Sequence, residues 1–235
     1  MTRRIVITQS NYIPWRGYFD LIDDADIFVI YDDVQYTKND WRNRNRIKTP
    51  TGVQWLTLPV RHGYHGQLID EVEVSATQPW RRAHQEAIRA NYGKARFFHD
   101  GFSGFVAALE AAPINLSRLN RALIEWAMDM LAIRTRVVNV RDLSAGGYRS
   151  ERLIAIVKEL GGDTYLSGPS AAAYIDVEAF RSAGIGLEYK SYAYEPYPQR
   201  WGAFEGAVSV LDLLLNLGPE ARSFLKSSAP NMKIV

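Results

Sequence analysis

The chain has 235 residues, no cysteine, 47% hydrophobic and 23% charged residues, and a formal net charge of +2. A chain of this length and apolar content can bury a core of its own, so we expect a folded protein rather than a disordered one. The lack of cysteine excludes disulfides, a thiolate nucleophile and cysteine-ligated zinc. The small net charge gives no reason to expect a nucleic-acid partner.

The first half of the chain alternates short apolar runs with amphipathic segments. Residues 5–7 and 27–31 are predicted as buried strands, and residues 15–24 between them as a helix. Further strands are predicted at 53–60 and 72–74. Pro79 favours the start of a helix, and helices are predicted over residues 79–92, 95–111 and 116–130.

The second half continues the alternation, with strands predicted at 135–140, 163–167 and 185–189 and helices at 149–160 and 208–216. This order predicts an α/β protein with a Rossmann-like three-layer core, a mainly parallel sheet and a helical insertion. We expect a single domain over residues 1–235 that contains a helical subdomain at 79–132. The sequence leaves the oligomeric state open.

Neither a signal peptide nor a membrane span is predicted. The apolar run that follows the basic N-terminus ends after Ile7, and no run of about 18 apolar residues occurs anywhere. We therefore expect a cytoplasmic protein.

The segment QSNYIPWRGYF, residues 9–19, joins the first predicted strand to the first predicted helix. In α/β sheets this turn often binds an anion, because the helix N-terminus presents free amide groups. The segment contains neither GxGxxG nor a Walker lysine. A structural loop with packed aromatic rings explains it equally well.

The segment YDDVQY follows the second predicted strand and contains Asp32, Asp33 and Gln35. Two adjacent carboxylates can bind a metal, hold a sugar hydroxyl or act as a base. The alternative is that they cap the strand end and form a turn.

The segment from Lys38 to Lys48 contains five basic residues interleaved with asparagines and Trp41. Guanidinium groups bind phosphate or carboxylate with two hydrogen bonds, so this segment favours a small anionic ligand such as a nucleotide-sugar pyrophosphate. A solvated charged loop is the alternative interpretation.

Histidines and serines add fewer candidates. His62 and His65 lie in a glycine-rich turn without a neighbouring acidic ligand, so we expect no zinc or other metal site there. His84, within a predicted helix, is a candidate general base, although a lone histidine is more often structural. The segment that begins with Ser167 and Gly168 follows a predicted strand and is a second candidate anion site.

These blocks resemble the WbqC-like family, which is associated with bacterial polysaccharide gene clusters. The resemblance rests on QSNYIPWRGYFDLI at 9–22, DIFVIYDDVQYTKNDWRNRNRIK at 26–48, Trp80 with His84, YLSG at 165–168 with Ala171 and Tyr174, Tyr197 with Gln199, and SVLDLL at 209–214. The chain departs from the family pattern at Ser10, where proline is usual, and at Trp15 and Arg16.

The resemblance implies a role in surface-glycan synthesis, and we expect a transferase that N-acylates or N-aminoacylates an amino sugar or its nucleotide-linked form. His84 is the expected general base, and Asp32 or Asp33 is expected to orient the attacking amine. We expect the following residues to bind substrate: Gln9, Tyr12, Tyr18, Gln35, Lys38, Trp41, Asn43, Arg44, Asn45, Arg46, Ser167, Gly168, Tyr174 and Gln199. The cofactor is unknown, with none covalently bound expected; an acyl donor, an acyl or aminoacyl carrier, or a nucleotide is compatible with this chemistry.

Two other functions remain open. The strand, loop and helix at the N-terminus are similar to the opening of nucleotidyltransferases and adenylate-forming ligases, which carry His-x-Gly-His where this chain has WRGY at 15–18. That likeness implies a nucleotide-using enzyme with a degenerate motif. The other alternative is a non-catalytic ligand-binding component of a glycan assembly complex.

Overall fold

The computed structural model describes residues 2–61 and 63–235, so Met1 and His62 lie outside the described residues. Within them the chain forms ten β-strands and seven α-helices. The strands are β1 (Arg4–Thr8), β2 (Ile27–Ile30), β3 (Arg44–Thr49), β4 (Gly52–Thr57), β5 (Val60–Arg61), β6 (Glu73–Val74), β7 (Arg136–Asn139), β8 (Thr164–Ser167), β9 (Gly186–Tyr189) and β10 (Met232–Lys233). The helices are α1 (Arg16–Asp23), α2 (Trp80–Tyr92), α3 (Phe98–Ala111), α4 (Leu116–Met130), α5 (Arg149–Glu159), α6 (Val177–Ala183) and α7 (Val210–Leu217).

The central sheet has six strands in the order β10-β9-β8-β1-β2-β7, and only β10 is antiparallel to its neighbour. The chain begins at β1 in the middle, adds β2 and β7 on one side, and then crosses to add β8 and β9 on the other. The predicted α/β class and mainly parallel sheet are confirmed. The direction in which successive strands are added therefore reverses between β1 and β8. A reversal of this kind leaves a crevice at the carboxyl ends of the two strands.

Helices cover both faces of the sheet. Val6 and Phe28 belong to a hydrophobic cluster with α1, α2, α3, α4 and α7, whereas Ile5 and Val29 belong to a second cluster with α5 and α6. Because side chains alternate along a strand, the two faces of each strand supply the two clusters. All four residues of β2 are buried, which explains why its sequence is continuously apolar.

The helices predicted within residues 79–132 are present as α2, α3 and α4. Their buried side chains share one hydrophobic cluster with the central sheet and with α7. The extent of the domain and of a helical subdomain within it stays a prediction. No helix in the described part of the chain is long and apolar enough to cross a membrane.

The sequence did not predict β3, α6 or β10. The strand β3 reads RNRIKT, whose polar composition is typical of a loop, yet it pairs with β4 as an antiparallel hairpin. Its inward polar side chains are satisfied by distant segments: Asn45 donates to the carbonyls of Tyr12 and Ile13, and Lys48 donates to Gln199. Only tertiary contacts make these side chains compatible with a buried strand.

A buried ion cluster holds the C-terminal segment against α1. The Lys190 ammonium lies 2.8 Å from the Asp20 carboxylate and 2.6 Å from that of Asp24. The side chains of Lys190 and Asp20 are 3% and 0% exposed. Burial by itself raises the pKa of Asp24, but hydrogen bonds from Lys190 and Lys226 bring it down to about 2.

Replacing Lys190 tests this cluster. Lys190→Met leaves the buried Asp20 carboxylate without its nearest cation, so we expect the free energy of unfolding in urea to fall by about 3–5 kcal/mol. Arg82→Met is the matched control, because Arg82 pairs with Glu86 on the exposed face of α2, and it should leave the urea midpoint unchanged. Equal midpoints for Lys190→Met and the wild type would contradict a stabilising role.

Candidate functional site

A cleft of about 1250 Å³ opens at the carboxyl edge of the parallel sheet, and we call it the sheet-edge cleft. It lies where the strand order reverses, between the segments that follow β1, β2 and β8 and the start of α5. The side chains that line it with hydrogen-bonding or aromatic groups are Thr8, Gln9, Asn11, Trp15, Tyr18, Tyr31, Asp33, Trp41, Arg42, Tyr148, Arg149, Ser150, Arg152, Tyr165, Ser167, Ser170, Tyr174, Asp176 and Tyr192.

The two adjacent aspartates after β2 have different environments. Asp33 lines the cleft and forms a two-pronged ion pair with Arg152, which also contacts the hydroxyl of Tyr31 at 3.3 Å. The side chain of Asp32 points into the protein interior, where the residue is 1% exposed. Asp33 is therefore placed to contact a ligand, and Asp32 is not.

The buried Asp32 carboxylate organises the loop that follows β1. One oxygen accepts the backbone amide of Ser10 at 2.8 Å, and the other accepts the Ser117 hydroxyl of α4 at 2.5 Å. Asn120, one turn further along α4, donates to the Ser10 hydroxyl and to the backbone carbonyl of Arg42. Burial raises the pKa of Asp32 above its ordinary 3.8, and the donated hydrogen bonds oppose that rise.

Arg42 is held at the cleft wall by two amide side chains. Its guanidinium donates to the side-chain oxygens of Gln9 and Asn11, while the nearest acidic partner, Asp40, lies 3.9 Å away. The hydroxyl of Tyr18 donates to the Gln9 carbonyl at 3.0 Å, and this hydrogen bond fixes the loop after β1 that carries Gln9 and Asn11. The network thus presents a positive charge to the cleft and supports it with neutral groups.

The start of α5 supplies cleft-lining residues that the sequence did not single out. Gly147, Tyr148, Arg149 and Arg152 all line the cleft. Gly147 and Arg149 have φ of +104° and +50°, and a Cβ on Gly147 would lie 3.2 Å from the Arg152 amide nitrogen. The signal was present as two glycines after a predicted strand and directly before a helix, a pattern that often marks an anion site.

Aromatic and hydroxyl groups complete the cleft. Ser167 and Gly168 line it at the end of β8, and the Ser167 hydroxyl accepts from Tyr165 at 3.1 Å. Tyr148 and Tyr174 line the opening with 71% and 67% of their surface exposed. Exposed tyrosines at a cleft can pack on a sugar or base ring.

A second, smaller cavity of about 310 Å³ adjoins the cleft. Asn11, Trp15 and Trp41 line both spaces. The remaining wall of the smaller cavity consists of Pro14, Asn45, Arg46 and Ala207.

His84, the expected general base, does not line either cavity. It is 6% exposed, packs against Trp80, and its Nδ1 lies 2.8 Å from the Tyr12 hydroxyl. Burial lowers its pKa from 6.5 to about 4, against a hydrogen bond to the backbone of Thr57 that raises it. The geometry is that of a satisfied core histidine, and its partner Tyr12 lines neither cavity.

The other predicted binding residues outside the cleft have structural or surface positions. Asn43 is buried and donates to the Leu58 carbonyl, and Gln199 accepts from Lys48 and from the backbone amide of Glu205. Arg44 stacks on Trp55 of the β3–β4 hairpin. The side chains of Gln35 and Lys38 are on the protein surface.

The segment at 15–18 has its own structural role. Arg16 turns away from the cleft and donates to the carbonyls of Glu195 and Phe224, with its guanidinium over the ring of Tyr194. A Cβ on Gly17 would lie 2.3 Å from the Trp15 ring, so glycine is required for the indole to fold over this turn. In the described part of the chain, no three acidic or histidine side chains form a group that could hold a metal ion.

Comparison with known proteins gives a family and one relative. Residues 9–224 match the WbqC-like protein family. The chain is 45% identical over 228 residues to "Uncharacterized protein Rv1507c" of Mycobacterium tuberculosis (strain ATCC 25618 / H37Rv), a match that covers 95% of this chain and 98% of the relative. No solved structure matches the chain.

The burial of His84 predicts a specific pH dependence. A histidine whose pKa is lower in the folded chain takes up its proton first in the unfolded chain, so stability is lost as the pH falls from about 6.5 to about 4. Between these pH values the free energy of unfolding in urea should fall by on the order of 3 kcal/mol more for the wild type than for His84→Gln. Parallel pH profiles for the two proteins would show that His84 is accessible to protons in the folded state.

Removal of the Ser117 hydroxyl tests the hydrogen bonds that the buried Asp32 carboxylate accepts. Ser117→Ala leaves one oxygen of a buried carboxylate without its donor, and we expect the free energy of unfolding to fall by about 1–3 kcal/mol. Ser103→Ala is the control, because that hydroxyl donates to carbonyls of its own helix on the surface of α3. A loss no larger than that of the control would mean that Asp32 does not depend on Ser117.

Proposed function

This chain belongs to the WbqC-like protein family, and we propose that it is a transferase that N-acylates or N-aminoacylates a nucleotide-linked amino sugar. The observation that carries the proposal is that Arg42 and Arg149 line the same cleft as the carboxylate of Asp33. The order of the parallel strands supports a Rossmann-like core, in which ligands bind at the strand reversal. The proposal includes a cytoplasmic location and a role in surface-glycan synthesis.

The cationic part of the cleft suits a diphosphate. Arg149 lies at the N-terminus of α5, is exposed, and has its guanidinium over the ring of Tyr148. Arg42 faces the same space with amide partners, and its nearest acidic partner, Asp40, lies 3.9 Å away. Helix N-termini and guanidinium groups both stabilise phosphate oxygens, so we place the diphosphate between Arg42 and the start of α5.

The acidic part suits the amine of the sugar. Arg152 keeps the Asp33 carboxylate in a fixed orientation, and a fixed carboxylate accepts a hydrogen bond from an amine. In the transfer step the amine nitrogen attacks the acyl carbon, the C–N bond forms, and the bond to the leaving group breaks. The leaving group departs with the electron pair, and the proton released by nitrogen passes to the Asp33 carboxylate and then to the leaving group.

This mechanism uses direct attack by the bound amine. The chain has no cysteine, and an acyl-enzyme intermediate is unnecessary if the cleft holds donor and acceptor in contact. The proposal assigns no proton transfer to His84, because this residue is buried, its Nδ1 is hydrogen-bonded to Tyr12, and it lines neither cavity. Asp33 takes that role, because its carboxylate accepts the proton from nitrogen.

A nucleotide-using enzyme of the adenylate-forming kind is the second candidate. The position of the cleft beside β1 and β8 favours it, because that crevice is the usual nucleotide site of a doubly wound sheet. Against it, Trp15 and Tyr18 stand where the histidines of such enzymes lie. The Trp15 ring packs edge-on against Tyr192, and the Tyr18 hydroxyl donates to the Gln9 carbonyl. A third candidate, a non-catalytic binding component, uses the same cleft without turnover.

A binding panel separates these candidates. We expect a UDP-linked amino sugar to raise the melting temperature of the wild type, with no comparable effect of ATP and magnesium. Arg149→Gln removes a charged hydrogen-bond donor and should weaken this binding about tenfold in calorimetric titration. Arg118→Gln, an exposed residue of α4 outside the cleft, is the control and should bind as the wild type does.

Each result decides between the functions. Stabilisation by ATP and magnesium without any response to nucleotide sugars would favour the adenylate-forming candidate. Binding of nucleotide sugars without N-acylated product, after incubation with acyl thioesters and with aminoacyl donors, would favour the binding component.

A further inference from the structure

The smaller cavity continues the sheet-edge cleft on the side of the β3–β4 hairpin. The side chains of Asn11, Trp15 and Trp41 separate the two spaces and line both. Asp33 lines only the cleft, and Arg46 lines only the smaller cavity. A ligand that reaches from Asp33 to Arg46 must therefore pass the two indoles.

The wall of the smaller cavity is mainly apolar, with Pro14, Trp15, Trp41 and Ala207 as its hydrocarbon surface. The amide of Asn45 is already used within the fold, because its nitrogen donates to two backbone carbonyls and its oxygen accepts the amide of Arg46. The cavity therefore offers contact to a slender chain and little hydrogen bonding along it.

Arg46 gives the cavity a positive charge. Its guanidinium lies 5.7 Å and 5.6 Å from the ring centres of Trp41 and Trp55, and its Nε is buried without a hydrogen-bond partner. Arg46 takes part in no ion pair within the described residues. The neighbouring Arg44 stacks on Trp55 at 4.3 Å and interacts electrostatically with Asp40. Stacking orients a guanidinium and leaves its donors free for an anion.

We propose that the smaller cavity binds the phosphopantetheine arm of an acyl thioester and that Arg46 binds its phosphate. The proposal deepens the transferase function and depends on it for the identity of the ligand as acyl donor. A phosphopantetheine thioester carries its reactive carbonyl and its phosphate at opposite ends of a slender arm, so the carbonyl can lie in the cleft that Asp33 lines while the phosphate lies in the smaller cavity that Arg46 lines. In an acyl adenylate the phosphate adjoins the carbonyl, so one cavity would hold both.

The chemistry of the step follows from this placement. The amine held at Asp33 attacks the thioester carbon in the cleft, the C–N bond forms and the C–S bond breaks. Sulfur leaves with the electron pair and takes the proton that Asp33 received from nitrogen. The arm beyond sulfur and its phosphate remain in the smaller cavity, so Arg46 contacts the donor throughout the step.

The direct test is a comparison of two ligands by calorimetric titration, S-acetyl-4′-phosphopantetheine and S-acetylpantetheine. The wild type should bind the phosphorylated form about tenfold more tightly, as expected for a charged hydrogen bond. In Arg46→Gln this preference should disappear. Arg136→Gln, an exposed arginine on β7 that lines neither cavity, should retain it.

A second variant tests the cavity without removing a charge. Ala207 is exposed and lines the smaller cavity, so Ala207→Phe should narrow the cavity without disturbing the core. We expect it to weaken both pantetheine ligands while leaving the binding of a UDP-linked amino sugar unchanged. Unchanged pantetheine binding in Ala207→Phe, or a phosphate preference that persists in Arg46→Gln, would overturn the proposal.

The outcomes separate this proposal from the transferase function. Pantetheine binding that depends on Arg46, without any acyl transfer, would support the site and contradict the function. Acyl transfer from a donor that lacks phosphopantetheine, with no pantetheine binding, would support the transferase function and contradict the proposed site. Titrations with acetyl-coenzyme A and with an acetylated carrier protein identify the source of the arm, and tighter binding of either supports the site.

Discussion

The buried carboxylate of Asp32 is the interaction on which the geometry of the cleft depends. A carboxylate removed from water requires hydrogen-bond donors, and it finds them in the loop after β1 and in α4. Asn120 extends the same contact from α4 to Ser10 and to the backbone of Arg42. Three segments that are distant in sequence are thereby fixed against one another at the end of β2.

In this arrangement the two adjacent aspartates have different roles. Because neighbouring residues at a strand end point in opposite directions, one carboxylate can stabilise the fold while the next faces a ligand. Asp32 orders the loop that carries Gln9 and Asn11, and these amides in turn hold Arg42 at the cleft wall. Asp33 stays in the cleft with Arg152. The proposed acceptor and donor sites meet at this loop, since Asn11 lines both cavities.

Most of the fold was predictable, because the central strands and the long helices have periodic patterns that local physics interprets directly. The buried run of β2 and the three- and four-residue spacing of α4 are examples. The strand β3 and the helix α6 were not predicted. The strand β3 is buried although most of its residues are polar, because their partners lie in distant segments. The helix α6 has only seven residues between its Asp176 cap and Gly184, so its periodic pattern is short.

The sequence by itself determined the α/β class, the family, the exclusion of cysteine chemistry, and the segments after β1, β2 and β8 as the place to look for a site. Only the tertiary structure decided which side chains in those segments face the cleft. His84 and Asn43 lie in the interior, whereas Arg152 and Arg149, from a segment far along the chain, line the cleft. The physical reason is that the elements packed around a side chain decide whether it lies in the core or in the cleft. Residue type and spacing in the sequence do not identify those elements.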